Sequence, residues 1–441
     1  MTATVNLHRL AELSPAERAM RLKRTENDLG PFIEKVRPLI EAVRRDGDAA
    51  LVRFARLFDR AEVTETAIAA TAEDFAAARR AIDGRLAEAI AFAAANIRAF
   101  HLAQKPDGAR WHEVRPGVRA GELTLPIPSV ACYVPRGKGA FPSSVLMTCI
   151  PATVAGVADI CVVTPPGPDG GIDAATLVAA EAAGVTKVYK AGGAQAIAAV
   201  AYGTRTIASY AKVVGPGSPW VAAAKHLLAS VIDTGAPAGP SETIVFADNT
   251  SDGRLAALDL LIEAEHGADS GAFLVTTSAE LAETARVALP LYWAQMSPTR
   301  VAYTQEVLSS PRGGILIARD AAEAFAFIND YAPEHLQILA KEPRAYLPLV
   351  RNAGEVLLGE TTPSTLANFV IGPSHVLPTG GWARTFSGLS VFDFMKRTSL
   401  AEVNRSAYGE LAGHARVIAE YEGFDAHANA VSALRDPLIG N

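Results

Sequence analysis

From about residue 120 onward the chain repeats one pattern, a short apolar run followed by an alanine-rich helical stretch. Val130 to Val134, Ile160 to Thr164, Lys187 to Tyr189 and Lys212 to Val214 read as strands. The spacing predicts helices over 143–157, 172–183 and 194–202 between them. A second series follows, with strands at Thr243 to Ala247, Ala272 to Thr276 and Gly314 to Ile317, and helices over 253–266 and 320–328. Parallel strands need a long crossover, and a helix is the usual one, so this alternation points to βαβ units and parallel sheets. The series are two, which suggests two α/β units in tandem or interleaved.

The flanks read differently. Ile33, Val36, Ile40, Val43, Leu51, Phe54 and Phe58 stand mostly three or four residues apart, the spacing of a surface helix pair. The alanine-rich run 65–104 continues in the same style, and the last fifty or so residues read as a small helical appendage.

Of the 441 residues, 49% are hydrophobic and 20% charged, enough for a large core. A net charge of −6 without a basic cluster gives no nucleic-acid footprint. The three cysteines, Cys132, Cys149 and Cys161, form no CxxC and no even framework, so they read as reduced and buried. The N-terminus carries no signal-peptide pattern, and no uninterrupted apolar run of about 18 residues suggests a membrane span. A cytoplasmic globular protein is expected.

Three glycine turns follow predicted strands: Gly137-Lys138-Gly139, Gly192-Gly193 and Gly215-Pro216-Gly217. None completes the GxGxxG of a dinucleotide fold, and each alone reads as a plain turn. Together they suggest ligand contacts at strand ends. In LIEAEHG (261–267), Glu263 and His266 are three apart and share a helix face, which suits two ligands of one metal and equally suits an ordinary helix end. In YAPEHL (331–336), Pro333 fits the first helical position, so Glu334 and His335 are expected in a first turn. There the helix end favours neutral imidazole, the form of a general base, and the adjacent Glu pushes the other way. His375, in GPSHVLPTGG, and His427, in EGFDAH, stand in unusual loop settings.

The chain resembles histidinol dehydrogenases from about residue 20 to residue 435. The matching stretches are YVPRGKGAFPSSVLM (133–147), AGGAQAIAAVAYGT (191–204), VGPG (214–217), AGPSE (238–242), AEHG (264–267), YAPEHL (331–336), HVLPT (375–379) and EGFDAH (422–427), in the family's order. The resemblance implies two Rossmann-like, aldehyde-dehydrogenase-like α/β domains with small helical N- and C-terminal appendages, in an intertwined homodimer. Its boundaries would be an N-terminal appendage at 1–27, a first α/β domain at 28–131 with 243–388, a second, NAD-contacting one at 132–242, and a dimerisation appendage at 389–441.

It also implies oxidation of a primary alcohol to a carboxylate through a bound aldehyde, with two NAD molecules and one Zn²⁺. By position, His335 matches the general base and Glu334 the residue that activates water. Ser241, His375 and Glu422 match substrate contacts, and Tyr133 and Gln195 match NAD contacts. Glu422 and His427 would complete the partner's site.

The family's metal set is Gln, His, Asp and His. Here the matching residues are Glu263, His266, Asn368 and His427, which the family also brings against the substrate; the carboxylate and the amide have changed places. The count of one carboxylate, one amide and two imidazoles is kept, and zinc accepts such donors. Ser218 replaces an NAD-contacting Asn. L-histidinol is the expected substrate. The alternatives are a paralogue acting on another polar alcohol, such as a sulfopropanediol, and a metal-binding homologue without catalysis.

Overall fold

The computed structural model describes residues 5–24, 29–136, 139–435 and 437–439. Among the described residues the strands, in chain order, are β1 (Leu7–Arg9), β2 (Ala109–Arg115), β3 (Val118–Pro126), β4 (Ser129–Tyr133), β5 (Asp159–Thr164), β6 (Lys187–Lys190) and β7 (Lys212–Val214). They continue with β8 (Glu242–Ala247), β9 (Gly271–Thr276), β10 (Gly313–Ile317), β11 (His335–Leu339), β12 (Glu355–Leu358) and β13 (Met395–Val403). Two parallel sheets result, a four-stranded one in the order β6-β5-β4-β7 and a six-stranded one in the order β1-β10-β9-β8-β11-β12. The predicted α/β class and its strand–helix alternation are as expected. The short edge strands β1 and β12 were not anticipated.

The chain divides into two compact units. The first, residues 1–104 with 128–394, holds both parallel sheets. Its central strands read ETIVFA, GAFLVT, GGILI and HLQIL and are buried along their whole length. Helices cover both faces of such a sheet, so its strands are apolar throughout rather than alternating. Successive residues still point to opposite faces. Val245, Leu274 and Ile315 pack into one core with the helices Gly253–Ala264 and Ala279–Trp293. Ile244, Phe246, Phe273, Val275 and Leu316 pack into another with the helix Ala321–Tyr331. The four-stranded sheet buries Ala131, Tyr133, Cys161, Val163 and Val213 against the helices Gly30–Asp46, Gly193–Tyr202 and Pro219–Leu228. All three cysteines are free and buried.

The second unit, residues 105–127 with 395–441, is an antiparallel sheet in the order β13-β3-β2 with the helices Arg405–Tyr421 and Asp425–Ala430. The purely helical C-terminal appendage is thus corrected, because its first stretch is β13. This strand carries MKRTSLAEV and buries almost nothing, so no apolar alternation marks it. Only its register with the distant β3, Met395 opposite Pro126 through Val403 opposite Val118, makes it a strand.

Among the described residues one helix, Gly84–Gln104, is long and apolar enough by length and composition to cross a membrane. In the structure it buries Ile90, Ala93, Ala94, Ile97 and His101 and lies against the helix Pro142–Ala155.

Two tight contacts hold the frame of the first unit. Arg24 is buried beside Glu242, Nε to Oε1 2.6 Å, with its guanidinium 3.3 Å from the centre of the Tyr331 ring. The Arg24–Glu242 contact is ionic rather than an aligned hydrogen bond, since Nε–H is not directed at the oxygen; a second guanidinium nitrogen donates to the Tyr331 carbonyl at 2.7 Å. Gly215, just after β7, has φ +109, and a Cβ there would lie 2.1 Å from the Tyr133 carbonyl oxygen. Gly215→Ala should therefore lower the unfolding free energy by about 1–3 kcal/mol through backbone strain. Arg24→Ala, which strands a buried carboxylate, should cost about 3–5 kcal/mol. Denaturant titration measures both, and unchanged midpoints would contradict these accounts.

Candidate active site

Three strands begin side by side at the amino-terminal edge of the six-stranded sheet. The register pairs His335 with Thr243 of β8 on one side and with Glu355 of β12 on the other. The helical reading of Pro333-Glu334-His335 is corrected here. The preceding helix runs to Tyr331, and Ala332 caps it in the left-handed conformation at φ +51. Pro333 thus stops a helix, a usual place for proline just beyond a C-cap, and His335 opens β11. The expected helix-end effect on the imidazole disappears with it.

Carboxylates replace that effect. His335 is buried, and its Nδ1 lies 2.6 Å from Glu355 Oε1. Its Nε2 is 3.6 Å from Glu334 Oε2 and 3.8 Å from Glu263 Oε1. Burial alone would favour the neutral ring. Glu263, Glu334 and Glu355 outweigh it and push the imidazole up to about 10. Glu334 is buried too. Burial pushes its carboxyl well above the usual range, against the pull of His335. Its Oε2 accepts the backbone N–H of Glu242 at 2.9 Å, which ties the pair to the start of β8.

Glu263 ends the helix Gly253–Ala264 and is 1% exposed. Burial opposes its charge, but His335, His266 and the Asn368 amide together hold its carboxyl below the usual value. Asn368 donates to Glu263 Oε1 at 2.7 Å. The other oxygen, Oε2, is buried without a hydrogen-bond partner and lies 3.4 Å from His266 Nδ1. His266 Nδ1 also lies 2.8 Å from Ser241 Oγ. His375 is half-buried, its Nδ1 2.6 Å from the Asn368 carbonyl oxygen and its Nε2 3.3 Å from Ser144 Oγ. Burial lowers the pKa of this ring. With Nδ1–H donated to the carbonyl, its Nε2 is the acceptor.

These side chains line one cavity of about 630 Å³. Ser241, Glu263, His266, Glu334, His335, Asn368 and His375 all border it, as do Ser144 and the aliphatic face of the helix Gly84–Gln104. Pro135 and Pro216 close another side. They follow β4 and β7, so the carboxyl-terminal edge of the four-stranded sheet meets the amino-terminal edge of the six-stranded one here.

Tyr133 ends β4, and its hydroxyl accepts the Gly193 N–H at 3.1 Å. Gln195 is buried in the first turn of the helix Gly193–Tyr202. Ser218 is the N-cap of the helix Pro219–Leu228. Gly192-Gly193 and Gly215-Pro216-Gly217 follow strands as expected, whereas Gly137-Lys138 lies outside the described residues. The chain reverses direction in the sheet between β4 and β7, the position where nucleotides settle on open α/β sheets. Of the helices that start on this edge, those at Pro142, Gly193 and Pro219 have no side-chain cap, whereas Asp173 caps the one at Ala174. Uncapped N–H groups suit a pyrophosphate.

Glu422 and His427 belong to the second unit, both exposed, with the His427 ring 5.1 Å from that of Phe424. Among the described residues no three His, Cys, Asp or Glu side chains form a ready metal site. The nearest arrangement is Glu263, His266 and the Asn368 amide. It fits a cation in one respect: Glu263 carries a buried carboxylate oxygen that no donor satisfies. Sequence reasoning missed Glu355 and Ser144. The signal for Glu355 was an acid opening the apolar run EVLL, but nothing local marked that run as a strand beside His335.

The family described as histidinol dehydrogenase matches residues 22–435. The chain is 56% identical over 435 residues to "Histidinol dehydrogenase homolog 2" of Mesorhizobium japonicum, which covers 99% of both chains. It is 46% identical over 423 residues to "Histidinol dehydrogenase" of a Synechocystis species, covering 96% of this chain and 97% of the relative. The histidinol dehydrogenase structure from Elizabethkingia anophelis superposes with a TM-score of 0.92 at 32% identity, covering 98% of each chain. An acetylating aldehyde dehydrogenase from Geobacillus thermoglucosidasius shares the fold, with a TM-score of 0.51 at 14% identity over 89% of this chain and 99% of that one. A match across nearly the whole chain, around a cavity that holds the paired Glu334 and His335, places this protein in the histidinol dehydrogenase family of NAD-dependent oxidoreductases.

Proposed function

We propose that the protein oxidises a primary alcohol to its carboxylate in two steps, with L-histidinol as substrate and L-histidine as product. The observation that carries this reading is the acid–base pair itself, with Glu334 and His335 buried side by side and both facing one cavity. Overall, one alcohol, one water and two NAD⁺ give one carboxylate, two NADH and three protons. NAD supplies the chemistry of both oxidations by accepting a hydride in each.

The surrounding carboxylates hold a proton on the ring, so His335 must first release the one at Nε2; there it then takes the alcohol proton as the first hydride leaves carbon. The carboxylates around the ring stabilise the imidazolium that forms. Glu334, ionised beside the charged His335 ring, then takes a proton from water as the water oxygen adds to the aldehyde carbon. His335 removes a proton from the hydrate as the second hydride leaves, and the carboxylate results. Ser241 and His375 offer polar contacts to the substrate, and the buried charge of Glu263 suits a cationic amine. Tyr133, Gln195 and Ser218 border the nucleotide, and a second copy of the chain contributes Glu422 and His427.

Glu263, His266, Asn368 and His427 of the partner subunit would hold zinc, which would supply an electropositive anchor for the substrate's nitrogens and hydroxyl. The unsatisfied Glu263 oxygen supports this assignment.

One observation favours a second reading. The carboxylate and amide are exchanged at positions 263 and 368, and relatives 53–56% identical are named homologues of histidinol dehydrogenase. Under this reading the same pair oxidises another polar primary alcohol, such as a dihydroxypropane sulfonate.

NADH absorbance tests both readings with the purified protein. His335→Asn should lower kcat by about 100-fold or more while the fold is kept; full activity would refute its role. Turnover of the sulfonate without turnover of L-histidinol would replace the first reading with the second. Metal analysis should find zinc bound to the wild type and lost from Glu263→Ala; equal zinc in both would refute the ligand assignment.

A further inference from the structure

Glu355 is one of three carboxylates around the His335 ring, and its surroundings are unusual for a strand residue. It opens β12, its side chain is 10% exposed, and the rest of the strand is apolar. Burying a carboxylate there costs desolvation that an apolar residue would avoid. Its position is over-determined. Parallel pairing sets Glu355 directly opposite His335, and its backbone N–H donates to the Glu334 carbonyl at 3.0 Å. The side chain then brings its Oε1 to 2.6 Å from His335 Nδ1.

We propose that Glu355 is a positioning residue for the reaction, accepting the Nδ1–H of His335 so that the ring keeps one tautomer and one orientation. This rests on the reading of His335 as the acid–base residue. With Nδ1 engaged, Nε2 is the nitrogen left for proton exchange, and it is the one that faces Glu334 and Glu263. A ring free to turn about χ2 would present either nitrogen to the cavity. The carboxylate also stabilises the imidazolium formed when Nε2 takes a proton, the part a buried acid plays behind a catalytic histidine. Placing this acid on the strand next to β11 makes the sheet ladder its rigid support. The arrangement needs no loop to order itself when substrate enters.

Glu355→Gln and Glu355→Asp in the full-length protein test this, measured beside His335→Asn. The amide of Gln keeps the volume but carries no charge and can donate to Nδ1, which favours the other tautomer. Glu355→Gln should lower kcat by about 10- to 100-fold with KM for the alcohol changed less than about threefold, and Glu355→Asp should recover part of the loss. Histidine-selective nitrogen NMR should show the His335 Nδ1 proton in the wild type and its loss or exchange in Glu355→Gln. A melting temperature that falls while kcat and this proton signal stay unchanged would mark Glu355 as structural and overturn the proposal. So would wild-type kcat in Glu355→Gln alongside an inactive His335→Asn. Wild-type activity in His335→Asn would instead remove the reading on which the proposal stands, and the proposal with it.

Discussion

The parallel register at the start of β11 sets the geometry on which the site depends. It places His335 between Thr243 and Glu355, fixes Glu334 one residue earlier, and brings the Glu242 N–H onto the Glu334 carboxylate. A one-residue slip would turn His335 to the opposite face of the sheet. The fully buried central strands make that slip prohibitive, because it would exchange the two apolar cores on either side. The geometry of the proposed acid–base pair is thus inherited from ordinary core packing.

Around this edge the fold sets two kinds of chemistry against each other. The carboxyl-terminal edge of the four-stranded sheet offers uncapped helix starts and glycine turns, which suit phosphates. The amino-terminal edge of the six-stranded sheet offers carboxylates and imidazoles, which suit proton exchange. A cavity between them is bordered by Pro135 and Pro216 on one side and by Glu334 and His335 on the other, and under the proposed function it would bring a nucleotide and an alcohol within reach of each other. An aldehyde dehydrogenase at 14% identity shares this framework, so the fold by itself does not set the substrate.

Much of the architecture was legible in the sequence because buried parallel strands are continuous apolar runs and their crossover helices are long. The pairs Glu263–His266 and Glu334–His335 were legible as motifs, and the structure brings them to one cavity. Local pattern misled where the decisive interaction was distant. Pro333 is compatible with both ends of a helix, and only the left-handed Ala332 decides which. β13 buries too little to carry a period, and Glu355 looked like one acid among many until its strand was paired. Pairing across a sheet is long-range information that no window of residues contains.

The exchange at positions 263 and 368 concentrates the open chemistry on one carboxylate. Glu263 keeps its charge among two imidazoles and an amide, with one oxygen unsatisfied. That oxygen suits a cation, whether a metal, a substrate amine or both. The account stands most directly on the balance of the whole reaction. A limiting amount of L-histidinol, incubated to completion with excess NAD, should yield two NADH and one L-histidine per molecule consumed. A single NADH with release of the aldehyde, or no NADH while the protein is folded and metal-replete, would contradict it.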